Sequence, residues 1–395
     1  MADVQQNGLS EKIKRIAPSA TLALNAKAKE MIAKGINVLN FAIGEPDFNT
    51  PENIKDAAKK AIDENFTKYT AATGIPELRD AIAAKFKKDN GITYSAAEIV
   101  VGSGGKPLLY GALVALCNPG DEVILSAPYW VSYVEMIKLA DGVPVIVNAR
   151  EKDEFEIKAS AIEAAITPKT KVVLLNSPSN PTGGIISEEE FRKIADLAVK
   201  HNLYIISDEM YEQLLYEGKH FSIASVSEDL RNRVVTVNGA SKTYAMTGWR
   251  IGYLGAPKII ADAIGNFLSH INGNANSIAQ KACLEAIVGP QDEVLRMKEE
   301  FKKRRDRFVE GLNEVKGINC LKPKGAFYVY PNFSKLFTAE ISDSAKMGDY
   351  LLEKVFIAAV PGAEFGTKEH IRFSYATSME TIEECIKRLK ELFIT

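Results

Sequence analysis

The chain has 395 residues, 46% of them hydrophobic and 25% charged, the balance of an ordinary globular protein whose length suits two closely packed domains. Its 49 Lys+Arg against 51 Asp+Glu leave a formal net charge of -2, which gives no electrostatic reason to expect a nucleic-acid or anionic-membrane partner. Cys117, Cys283, Cys320 and Cys385 are too scattered for a zinc site or a disulfide framework and read as buried free thiols; with no apolar leader and no run of 18 apolar residues, the expected setting is cytoplasmic.

From about residue 98 to 256, short β-rich runs alternate with helical patterns, the signature of a mostly parallel sheet covered by helices. Strands are predicted at 99–102, 122–126, 143–147, 171–176, 203–207, 234–238 and 251–255. Runs such as VVLL and LYII suit strands buried on both faces. Helices are predicted between them at 107–117, 130–139, 187–201 and 258–270, with Ser187 and Glu190 spaced as a capping box. After about residue 278 long charged helices follow, and the stretch EEFKKRRDRFVEGL reads as a solvated helix face because its acidic and basic residues interleave. Short strands at 326–330 and 371–374 and a helix from Ser378 complete a smaller α+β part. The expected division is an N-terminal segment 1–45 that joins the smaller domain, a large domain 46–285 and a small domain 286–395.

Ligands of open parallel sheets sit outside the carboxyl ends of the strands, so the residues just after each strand carry the information. The first strand leads into Gly102-Ser-Gly-Gly-Lys106 and a helix start, where free N–H groups and the helix dipole suit a phosphate. The second is followed by Ser126-Ala-Pro-Tyr-Trp130, which offers an aromatic face. After the fourth comes NSPSNPTG with Asn180, after the fifth SDEMY with Asp208 and Tyr211, and after the sixth NGASK with Lys242, trailed by TGWRIG with Arg250. Each of these alone has an ordinary structural explanation as a turn, a helix cap or a core residue. Together they supply what a carbonyl cofactor needs: a lysine to form an imine, an acid for a ring nitrogen, an aromatic cover, and cationic and backbone donors for a phosphate.

The motifs NSPSNPTG, SDEMYE, NGASKTYAMTGWRIG and RFSYATS resemble those of class I pyridoxal phosphate (PLP) aminotransferases of fold type I, and the likeness runs from APSATLALNAKA and GEPDF to the C-terminal arginine. Within that class the PSAT, GEPDF, GGK and PYWVSY elements look most like the Iβ subgroup of aspartate aminotransferases, which includes prephenate aminotransferases. The resemblance implies an α/β fold with a seven-stranded, mostly parallel sheet and a smaller α+β domain. It implies Lys242 as the Schiff-base lysine and proton shuttle, and Asp208 as partner of the pyridinium nitrogen. Asn180 and Tyr211 would bind the phenolic oxygen, Trp130 would stack on the ring, and Arg250 with Gly104, Gly105 and Lys106 would hold the phosphate. Tyr69, in TKYTAATG, would reach the neighbouring subunit's phosphate, making a homodimer with composite sites. Arg372 would grip the substrate α-carboxylate, with Gly44, Trp130 and Asn180 beside it.

One position departs from the pattern: Gly239 stands where many relatives carry a phosphate-binding serine, and Ser241 sits next to Lys242 instead. For the substrate, SHINGNANSIAQ contains no arginine for a distal carboxylate, and the Iβ pattern assigns that task to Lys106, assisted by Ser19 and Thr21. The expected reaction is ping-pong transamination between aspartate and 2-oxoglutarate. Prephenate is the alternative acceptor, with glutamate or aspartate as donor, although Ala17 occupies a position that is often basic in relatives using it. A broad alanine or aromatic aminotransferase is the further alternative. No metal site is expected.

Overall fold

The structure, a computed structural model, describes residues 8–18 and 20–393, with the side chains of residues 20–22 excepted. A two-residue strand β1 (Leu39–Asn40) precedes β2 (Ile99–Gly102), β3 (Glu122–Ala127), β4 (Val143–Asn148), β5 (Thr170–Asn176), β6 (Tyr204–Asp208), β7 (Val234–Gly239) and β8 (Gly252–Gly255). β2 to β8 form one seven-stranded sheet in the order β2-β8-β7-β6-β5-β3-β4. β3 to β7 pair in parallel, whereas β8 runs antiparallel to both of its neighbours, β2 and β7. The strands with few polar residues are the ones sealed on both faces: IVVG, VVTVNG and GYLG are buried throughout. One face is covered by the helices Gly105–Leu116 and Lys258–Ile271, through Leu108, Leu109, Ile264 and Leu268. The other carries Glu188–Lys200 and Ser277–Val288, through Phe191, Ile194, Ala282 and Cys283. The fold is therefore α/β, with all seven strands where the apolar runs placed them to within one or two residues.

A second core gathers Phe41, Phe301, Phe308, Phe327, Phe373 and Leu389. Around it lie β9 (Tyr328–Val329), β10 (Ile357–Ala358), β11 (Val360–Pro361) and β12 (Ile371–Ser374). β11, β12 and β9 make a three-stranded antiparallel sheet, and β1 pairs in parallel with β10, so the N-terminal segment is stitched to the C-terminal part. No helix among the described residues is long and apolar enough to cross a membrane.

Three local expectations need correction. Ser187 does cap its helix by accepting from Glu190 N, but the Glu190 carboxylate accepts from Ala159 N of another segment instead of closing the box. A complete capping box forms at Ser95 and Glu98. The charged run in the helix Asp292–Asn313 is not wholly solvated, because Arg304 and Arg305 are buried. Arg304 bonds Asp47 and Glu300. Arg305 donates to Pro323 O, pairs with Asp306 and lies over the Tyr216 ring. Finally, Cys117 is only half-buried, while the other three cysteines are buried.

Candidate active site

The ends of β2, β5, β6 and β7 open on one cavity of about 290 Å³. Its lining brings together Gly44, Gly105, Lys106, Trp130, Asn180, Asp208, Tyr211, Lys242, Arg250 and Arg372 from positions spread over most of the chain. Gly104, with φ +94°, turns the chain into the helix Gly105–Leu116, whose first turn has no side-chain cap, an arrangement that leaves helix N–H groups available to an anion. A Cβ on Gly104 would lie 2.5 Å from the Arg250 guanidinium. A Cβ on Gly252 would lie 2.6 Å from the backbone of Gly104 and Gly105. Gly252 is thus required by close approach to backbone, and Gly104 by its positive φ. Lys106 lies 4.9 Å over the Trp130 ring, and burial together with the charge of Arg250 holds its ammonium below the ordinary lysine range. Among the described residues neither Lys106 nor Arg250 has a carboxylate partner.

Asp208, at the end of β6, is buried. Tyr133 donates to its Oδ2 at 2.6 Å and the Met210 N–H to its Oδ1 at 3.2 Å. Burial raises its pKa to about 6, against the lowering effect of those two donors. Lys242 follows β7 in a short helix and donates to Gly44 O at 2.5 Å. Burial, with Arg372 and Arg250 adding to it, lowers its pKa to about 8 against the opposing pull of Glu45 and Asp208. Arg372, on β12, is 2% exposed. It donates to Asn180 Oδ1 at 3.0 Å and to Ala42 O at 2.7 Å, lies over the Tyr328 ring at 4.6 Å, and leaves its Nε unpartnered. Tyr211 shares a 2.8 Å hydrogen bond with Tyr328, and burial lifts its phenol well above the usual range.

Sequence reasoning missed Tyr133, Tyr328, Asn176, Met210 and Thr247, all of which line the same cavity. Tyr133 stands three positions beyond Trp130, a spacing that puts both on one side of a helical turn, and their rings meet edge-on at 5.2 Å. That spacing was the available signal. Ser241, left aside because of the Gly239 departure, also lines the cavity. Tyr69 does not; it stands 95% exposed on the surface of its own chain. Ser19 lies outside the described residues, as does the side chain of Thr21. Behind Asp208, the ligand atoms of Glu209, Glu212 and His220 come within 4.8 Å of one another. Lys85 and Asn90 bond Glu212, and Ser207, Ser222 and His220 bond Glu209, so this cluster is already internally paired.

A mostly parallel sheet with a lysine, a buried acid and a cationic, glycine-lined helix start at its carboxyl edge defines a fold-type-I PLP enzyme. Residues 36–389 match the family model described as aminotransferase class I and II, and the chain belongs to that family as a PLP-dependent aminotransferase. It is 45% identical over 385 residues to the aspartate aminotransferase of Bacillus sp. (strain YM-2), covering 96% of this chain and 98% of that one. It is 46% identical over 390 residues to the aspartate/prephenate aminotransferase of Cereibacter sphaeroides, covering 97% and 98%. Among solved structures it is similar to the Thermus thermophilus aspartate aminotransferase with maleate, at 42% identity and a TM-score of 0.93, covering 97% of this chain and 99% of that one.

Proposed function

We propose that Lys242 carries PLP and that the enzyme moves an amino group between aspartate and 2-oxoglutarate. The observation that carries this reading is the convergence of the Lys242 amine, the Asp208 carboxylate and the Arg372 guanidinium on one cavity. The site fits the cofactor. An uncapped helix start and two cations without carboxylate partners suit a phosphate at Gly104, Gly105, Lys106 and Arg250. Asp208 suits a cationic ring nitrogen, Trp130 a ring face, and Asn180 and Tyr211 a phenolic oxygen. When bound, the cofactor supplies a carbonyl that condenses with the substrate amine and an electron-withdrawing ring that takes up charge left at Cα.

The chain's own groups do the rest. Tyr133 and the Met210 N–H aim the Asp208 carboxylate and offset part of the pKa rise that burial causes. Lys242, with its pKa lowered to about 8, has about a tenth of its amine neutral at pH 7 and suits the transfer of the Cα proton. Arg372, seated between Tyr328 and Asn180, presents a planar fork to the α-carboxylate. Lys106 would meet a second carboxylate, which favours aspartate, glutamate and 2-oxoglutarate, and the names borne by the relatives agree with that choice. Prephenate is the second reading, supported by the name of the Cereibacter relative and opposed by Ala17. The same reading makes the protein a cytoplasmic homodimer whose Tyr69 completes the neighbouring site.

Single-turnover loss of the PLP absorbance against aspartate, glutamate, alanine, phenylalanine and arogenate tests the substrate class. Aspartate and glutamate should discharge it fastest; a faster response to arogenate would put the prephenate reading in its place. Lys106→Ala should cut kcat/KM for aspartate by about 10- to 150-fold, the worth of a charge-assisted hydrogen bond of about 1.5 to 3 kcal/mol, while alanine changes little. An equal loss for both substrates would reduce Lys106 to a phosphate contact.

A further inference from the structure

Away from the cavity, one carboxylate collects donors from three separate segments. Glu151 opens a short 3-10 turn (Glu151–Asp153) just beyond β4, at the edge of the seven-stranded sheet. Its Oε1 accepts from Asn319 Nδ2 at 2.7 Å. Its Oε2 accepts from Asn332 Nδ2 at 2.7 Å and lies 3.2 Å from His370 Nε2. Asn332 follows β9 and His370 precedes β12, and Asn332 makes backbone bridges with both Asn319 and His370. All three donors therefore belong to the β9–β12 end of the molecule, and Glu151 belongs to the other sheet. Burial holds the His370 imidazole below its ordinary pKa, so the ring is neutral and its Nε2 carries the proton that Glu151 accepts.

This carboxylate is connected to the site by packing. The register pairs Phe373 with Val329 on β12 and β9, which puts Tyr330 opposite Arg372, and His370 lies one row further along the same face, opposite Asn332. The His370 ring stacks on Tyr330 at 4.9 Å and 7°, and Phe155, from the Glu151 side, closes edge-on against both rings. Tyr330 in turn meets Phe365 edge-on at 6.0 Å, and Phe365 lies 5.1 Å from the Arg372 guanidinium. A continuous aromatic layer thus runs from the Glu151 carboxylate to the seat of Arg372.

We propose that Glu151 is a positioning residue: it ties the β9–β12 sheet to the edge of the large sheet and so sets how Arg372 enters the cavity. The proposal rests on the reading of Arg372 as the α-carboxylate clamp. Removing the carboxylate leaves two amides and a buried imidazole N–H without their acceptor, and the aromatic layer relaxes.

Steady-state kinetics of the holoenzyme test it. Glu151→Ala should raise KM for the amino acid and the 2-oxo acid together by about 5- to 50-fold, part of the roughly 10- to 150-fold that losing a charge-assisted hydrogen bond to the α-carboxylate would cost. kcat should stay within about twofold and PLP affinity should not move. Alanine and aspartate should suffer by the same factor, because both carry the α-carboxylate. Glu151→Gln, which keeps one acceptor, should recover part of the loss, and it carries the test if the alanine variant does not fold. Arg372→Lys is measured alongside: if it leaves KM unchanged, the clamp reading fails. If Arg372→Lys raises KM and neither Glu151 variant does, the clamp stands and the positioning role is overturned. A fall in kcat, PLP affinity and melting temperature together, with no separate rise in KM, would make Glu151 a structural prop and overturn the proposal as well.

Discussion

Asp208 and Lys242 carry opposite charges, and burial moves their titrations toward each other, to about 6 and about 8, because a poorly solvated cavity disfavours charge of either sign. The neutral amine is the nucleophile, and a lysine with a lowered pKa gives up its proton earlier on the pH scale. The rate at which the apoenzyme captures PLP should therefore rise with pH and level off just above 8. An unperturbed lysine would let it climb beyond about 10. On the acid side, if Asp208 pairs with the ring nitrogen as proposed, its protonation removes that charge, so PLP affinity should fall as pH drops through about 6. Stopped-flow capture and equilibrium titration measure the two limbs. A capture rate that keeps rising to pH 10 would show that the cavity does not perturb Lys242.

At the level of elements, the turn at Gly104 and Gly105, the proposed phosphate seat, is shaped by a strand from elsewhere in the sequence. Gly252 of β8 lies flush against the turn at Gly104 and Gly105, where backbone atoms that cannot rotate away leave no room for a methyl group. Gly252→Ala should displace the turn and weaken PLP binding about tenfold or more, equivalent to at least about 1.4 kcal/mol, as read by fluorescence titration. An unchanged affinity would mean that the turn has slack. The strands that build this arrangement were legible because Ile99–Gly102, Thr170–Asn176 and Val234–Gly239 are nearly uninterrupted apolar runs, and the ligand-bearing residues simply follow them. The spacing of Tyr133 from Trp130 was legible, but its bond to Asp208 was not. Its partner Asp208 is 75 positions away, and a hydrogen bond across that distance leaves no periodic trace. Arg305 failed for the same reason: Pro323 O and the Tyr216 ring, which decide its burial, lie outside the charged run that contains it. Glu190 had the right spacing for a capping box and was drawn instead to Ala159 N.

For the whole molecule, a net charge of -2 conceals a cavity where Lys106, Lys242, Arg250 and Arg372 converge with Asp208 as the buried acid. That concentration of positive charge suits anionic ligands however nearly neutral the surface is on average. Tyr69, 95% exposed in its own chain, is the group expected to cross to the neighbouring subunit. Lys242→Ala and Tyr69→Ala subunits should each be inactive or nearly so, yet random reassortment should return about a quarter of wild-type activity. Half of the dimers would be hybrid, and each hybrid would hold one intact site. Native mass spectrometry establishes whether hybrids form. Hybrids without recovered activity would show that each site is complete within one chain.

The antiparallel insertion of β8 has a consequence for how the protein comes into being. β2 is an edge strand whose one neighbour in the sheet is β8, and about 150 residues of chain separate them. At roughly 5 to 20 residues per second of synthesis, the IVVG segment leaves the ribosome about 8 to 30 s before its partner exists. Through that interval an entirely apolar strand has no place in the sheet, and the turn after it has nothing to rest against. The turn at Gly104 and Gly105 therefore gains its backing from Gly252 only after residue 255 has been made.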